Sequence, residues 1–124
     1  MEGVGHRGMI VGYGAATVEV PEMSPFSLAD IMVLAYIIEH CGAGGWTRFD
    51  YGRASDELWC ARVGGRETLR ARLRLLRRHG LIDTMTTGVR GERGVRTFVK
   101  PDMGMFSSPG GFHGTYRIDD MVQC

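Results

Sequence analysis

No stretch of this 124-residue sequence reaches about 18 consecutive apolar residues, which removes a membrane-spanning helix from consideration. Cysteine is scarce: Cys41, Cys60 and Cys124 are odd in number and widely spaced, which supports neither a disulfide framework nor a zinc finger and leaves idle or buried thiols. His6, His40, His79 and His113 are scattered, and the adjacent pair His40 and Cys41 points two ways on a helix and cannot chelate well. Ser107 and Ser108 have no recognisable base beside them. With no catalytic set, neither an enzyme nor a cofactor or metal is expected. The residues from Met1 to Arg7 lack a basic leader and a long apolar core, which argues against a secretory signal and predicts a cytoplasmic protein. Lysine is nearly missing as well, with Lys100 alone beside fourteen arginines.

What the chain does have is a concentration of positive charge. Residues 62–100 hold eleven Arg/Lys against Glu67, Asp83 and Glu92, a balance of +8. The other 85 residues carry four basic and eleven acidic side chains, or −7, so the net +1 conceals a dipole. Positive charge gathered on one local element is the footprint of a polyanionic partner, because each phosphate neutralised releases condensed counterions. Duplex DNA is the first expectation.

At this length the chain makes one domain that buries roughly two thirds of its unfolded surface. Residues 1–16 are rich in glycine and read as a mobile arm, while 17–20 alternate and add one short strand before Pro21. The G-x-G-x-x-G match at residues 3–8 lacks the preceding strand and following helix that a dinucleotide fingerprint requires. A helix over 28–41 follows, with Ser24 or Ser27 as its cap and Gly42, Gly44 and Gly45 as its stop. Its apolar residues lie on more than one face, so it is nearly enclosed. The surplus face, including Ile31, Leu34 or Ile38, is the candidate dimer interface unless the two terminal segments cover it.

Residues 46–51 alternate aromatic and polar side chains and predict a strand. Ser55 then caps a short helix over 56–62, and Gly64 and Gly65 separate it from a second helix over 66–79 ended by Gly80. Strands over 81–87 and 95–99 flank a glycine-rich loop carrying Arg90 and Arg93, a hairpin with a basic tip. Residues 101–124 read as an irregular tail packed by Phe106, Phe112 and Tyr116, with a short strand over 115–118. Trp59 reads first as a core anchor and second as a stacking platform for an unpaired base.

Two short helices joined by a glycine turn, the second basic and followed by a basic hairpin, resemble the winged helix-turn-helix family of DNA-binding domains over residues 24–100. The most specific portion is Arg66-Glu67-Thr68-Leu69, then Leu73, Leu76 and His79-Gly80-Leu81-Ile82. The resemblance implies an α+β, mainly α, fold of three helices and a small antiparallel sheet, with Thr68 opening a recognition helix and Gly80-Leu81-Ile82 leading into the wing. The turn Val63-Gly64-Gly65 has one residue fewer than many members of the family, which leaves the angle between the helices open.

Helical geometry points the same way independently. At 100° per residue, Leu69, Leu73 and Leu76 fall within about 60° of one another and form the buried stripe. Glu67, Arg70, Ala71, Arg74 and Arg78 lie on the far side, where a major groove would meet them. Arg70 and Arg74 are the expected base readers, since Arg grips guanine O6 and N7 bidentately. Arg66 and Thr68 are expected to hold a phosphate, while Arg72 and Arg77, nearer the edges, touch phosphates or shield the core. Glu67 is expected to orient Arg70 at i+3. Arg90 and Arg93 enter a minor groove or rest on the backbone.

The function these residues predict is sequence-specific duplex DNA binding by a homodimeric transcriptional regulator. A replication or partition accessory of a plasmid or phage is the alternative, because residues 17–36 loosely resemble the N-terminal domain of plasmid replication initiators. A protein–protein interaction module with a basic face is the alternative of another class.

Overall fold

The computed structural model describes residues 9–21, 24–41, 45–88, 96–102 and 115–118. Its elements in chain order are β1 (Met9–Tyr13), β2 (Ala16–Val20), α1 (Leu28–Cys41), β3 (Thr47–Phe49), α2 (Tyr51–Glu57), a 3-10 turn (Trp59–Ala61), α3 (Arg66–Arg78), β4 (Ile82–Thr87), β5 (Arg96–Pro101) and β6 (Thr115–Arg117). Three helices and two small sheets make an α+β fold.

The glycine-rich beginning is not wholly an arm, because residues from Met9 onward form a strand. Val11 in β1 and Ala16, Val18 and Val20 in β2 alternate inward and are buried, so apolar burial offsets the backbone entropy of the glycines between them. The two strands pair antiparallel through a two-residue turn in which Gly14 takes a φ of 60°. A Cβ at Gly14 would lie 2.6 Å from the Glu39 carboxylate, which accepts the Ala15 N–H at 3.1 Å and ties the turn to α1. On its other edge β2 pairs parallel with β6, which carries out the expectation of a strand near residue 115.

The first helix begins at a capping box. Ser27 Oγ accepts the Asp30 N–H at 3.2 Å, and Asp30 Oδ2 accepts the Ser27 N–H at 2.9 Å, so Ser27 is the cap. From Ile31 through Ile38 nearly every side chain is buried, because the β1–β2–β6 sheet covers one side of α1 while α3 and β5 cover another. Ile31, Leu34 and Ile38 are therefore core residues, at most 1% exposed, and are not available for a subunit contact. The N-terminal strands β1 and β2, together with α3 and β5, supply the cover.

The second sheet runs in the order β3–β5–β4, all antiparallel, so β5, the last strand in sequence, lies between the other two. The helix between β3 and α3 starts earlier than Ser55 suggests. Asp50 caps it, its carboxylate accepting the Arg53 N–H at 3.0 Å, and the Ser55 hydroxyl instead donates to the Gly64 carbonyl at 2.9 Å. The helix also ends early, at Glu57, and Trp59 falls in the 3-10 turn after it. Trp59 comes out 75% exposed, not a core anchor. Arg62 closes the 3-10 turn in the left-handed region at φ 56°, and Gly64 at φ 97° completes the shortened connection.

Candidate nucleic-acid interface

Gly65 and Gly80 bracket α3, and Leu69, Leu73 and Leu76 are its buried residues, so the leucine stripe seats it as its spacing predicts. One further contact fixes its rotation. Arg72 reaches back to the start of α1, donating to Asp30 Oδ1 at 2.8 Å and to the Val63 carbonyl at 2.8 Å. Arg72 is thus a strut inside the protein and not an edge residue facing a partner.

With that rotation set, the outer residues of α3 fall into two adjoining rows. Opposite the leucines lie Glu67, Ala71, Arg74 and Arg78, all exposed and spanning about 60° of the helix. Arg66, Arg70 and Arg77 lie within about 40° of one another on the side that faces the β3–β5–β4 sheet. Thr68 sits on the other flank, packed over the turn: a Cβ at Gly64 would come 2.6 Å from the Thr68 Cβ. Arg90 and Arg93, the expected wing tip, lie outside the described residues.

Along the seam between α3 and the sheet runs an open trough made of two clefts. One is lined by Arg70, Arg74 and Arg77 from the helix and by Thr84, Thr86 and Thr97 from the sheet, with Tyr51 at its end. The other continues past Tyr51 and is lined by Arg48, Arg66, Arg70, Arg96 and Gly52, with Asp50 its single acid. Among the described residues, six arginines against one aspartate give the lining +5. The Asp50 carboxylate is already engaged as a helix cap. The Arg53 amide holds it below the usual carboxylate range, and the guanidinium groups of Arg48 and Arg66 add to that effect.

Arg70 is pre-oriented at the junction. Its guanidinium lies over the Tyr51 ring, 5.2 Å from the centroid, and pairs with Glu67 at 3.0 Å, the i+3 contact that the spacing predicts. Arg48, Arg66, Arg74, Arg77, Arg78 and Arg96 have no carboxylate within ion-pair distance among the described residues. Arginines grouped without acidic partners repel one another, so the surface gains electrostatically when an anion arrives. Among the described residues there is no cluster of three potential metal ligands and no helix long and apolar enough to cross a membrane.

Sequence reasoning did not assign Arg48, Tyr51, Arg96 or the threonines to the site. A signal for two of them existed: Arg48 and Arg96 are out of phase with the buried Phe49 and Val99, which sends them to the outer face of a half-buried strand. Their convergence depends on the register that sets Arg48 opposite Phe98 and Phe49 opposite Thr97, and one strand's sequence does not contain its register. Comparison with known proteins returns no match: no family model, no curated protein and no solved structure is similar to this chain.

Proposed function

We propose that this chain is a winged helix-turn-helix protein that binds duplex DNA sequence-specifically through α3 and regulates transcription. The observation that carries the reading is the exposed row of Arg74 and Arg78 around the small Ala71, unpaired with acids among the described residues, on a helix seated by three leucines. A cationic helix free along one face fits a major groove, and a short side chain at its centre permits close approach. The connection α1–β3–α2–α3–β4–β5, with β5 inserted between β3 and β4, supports the same reading. A homodimer on a two-fold site would need a surface other than Ile31, Leu34 and Ile38, and mass in solution, 13.7 kDa or twice that, decides it.

Selection of bound duplexes from a random pool tests the proposal. The wild-type chain enriches one recurring sequence, and Arg74→Ala loses preference at one or two positions, worth about 1–3 kcal/mol of discrimination, while binding non-specifically as before. A pool that emerges unenriched contradicts sequence-specific binding.

A further inference from the structure

Resting on the DNA reading, we infer that the trough between α3 and the β3–β5–β4 sheet is the track for one sugar–phosphate strand, so that Arg70 holds backbone and does not read bases. Three observations converge on it. The trough wall contributed by α3 is mainly the row Arg66, Arg70 and Arg77, turned toward the sheet; Arg74, from the adjoining outward row, also lines one cleft, and Arg78 lines neither. In the cleft beyond Tyr51 the opposite wall is built separately, by Arg48 on β3 and Arg96 on β5, so cations stand on both sides of that stretch. In the other cleft the sheet wall is Thr84, Thr86 and Thr97, which share one face of the sheet, Thr86 paired with Thr97.

The chemistry of that lining suits a phosphodiester. Guanidinium groups on two walls give charge and paired N–H donors to phosphate oxygens, and threonine hydroxyls donate to the same acceptors without sequence preference. Asp50, the one carboxylate among the described lining residues, is committed to capping α2 and leaves the trough cationic along its length. Arg70 is also held in place by Glu67 and by the face of Tyr51, which suits a fixed phosphate clamp at the bend of the trough. With one strand seated there, the outward row of α3 turns into the adjacent groove.

The test measures binding of the full chain to its selected duplex, or to a random 20-base-pair duplex, across a salt series. Arg48→Ala, Arg77→Ala and Arg96→Ala are each expected to weaken binding to all sequences alike and to lower the salt slope by about 0.9. The sequence enriched by Arg70→Ala should equal that of the wild type, in contrast to Arg74→Ala. Methylphosphonate substitution scanned along the duplex should cost the wild type affinity at a run of adjacent positions on one strand, and the cost at one of them should vanish in Arg96→Ala. Thermal melts matching the wild type establish that each variant is folded. Wild-type binding with unchanged affinity and slope in Arg48→Ala, Arg77→Ala and Arg96→Ala would overturn the track while leaving DNA binding by α3 intact. A wild-type chain that retains no duplex overturns the DNA reading and the track together.

Discussion

Arg72 illustrates how one residue type serves opposite ends within a single helix. Its neighbours Arg70 and Arg74 remain in solvent, but Arg72 lies where the wheel turns inward and meets Asp30, a carboxylate only 5% exposed. A buried acid with its partner removed is an uncompensated charge, and the loss is larger than the pair's net worth. Arg72→Met is expected to lower unfolding free energy by about 3 kcal/mol in chemical denaturation, and Asp30→Asn added to it should recover a substantial part. Full stability in Arg72→Met would contradict the strut.

Tyr36 and Glu57 form the comparable link between α1 and α2, the phenol donating to Glu57 Oε1 at 2.6 Å. Burial, with the Glu57 carboxylate beside it, pushes the Tyr36 hydroxyl well above its ordinary value of 10.0, and the same hydrogen bond lowers Glu57 below 4.5. For the tyrosine, the folded chain holds its proton where the unfolded chain has released it, so its contribution is complete below about pH 10 and declines as pH rises further. For the glutamate the contribution is present above about pH 4.5 and is lost on acidification. Tyr36→Phe should therefore flatten the alkaline fall in melting temperature, and Glu57→Gln the acid fall. Unchanged pH profiles in both would show that the contact does not link the helices.

At the scale of elements, the connection from α2 to α3 is where backbone conformation is most demanding. Arg62 occupies the left-handed region without the freedom of glycine, and Gly64 at φ 97° leaves no room for a side chain against Thr68. Gly64→Ala should cost upward of about 1 kcal/mol, and Arg62→Gly should be neutral or raise the melting temperature by relieving strain. The reverse order would mean that the turn is not built this way.

The elements also differ in how plainly their sequence announces them. The helix α3 was legible because Leu69, Leu73 and Leu76 repeat at helical spacing between two glycines, and α1 because a cap precedes an unbroken apolar run. The strand β1 was hidden by its glycines: only the alternation of Val11 against exposed Ile10 marks it, and its pairing with β2 is a long-range fact. The start of α2 was misplaced because two good caps compete, Ser55 and Asp50, and the tertiary bond from Ser55 to Gly64 decides between them. Trp59, read as a core anchor, instead lies in the 3-10 turn that follows the end of α2 at Glu57 and faces solvent. Half of the candidate site, the row on α3, was readable from the wheel, while the half on the sheet needed strand register.

For the molecule as a whole, positive charge is concentrated along one seam of the fold: among the described residues the α3–sheet trough carries +5, in a chain whose net charge is +1. Such a concentration draws an approaching polyanion toward the trough, and the attraction weakens steeply with ionic strength, because the phosphates it neutralises carry condensed counterions. A shape-driven partner without charge would show neither effect. The most direct measurement is fluorescence anisotropy of a labelled 20-base-pair duplex titrated with the chain from about 50 to 200 mM salt. A trough that neutralises about four or five phosphates predicts binding at the lowest salt, with log K falling against log salt at a slope near −4. No binding to any duplex at about 50 mM salt, or binding indifferent to salt, would contradict the account.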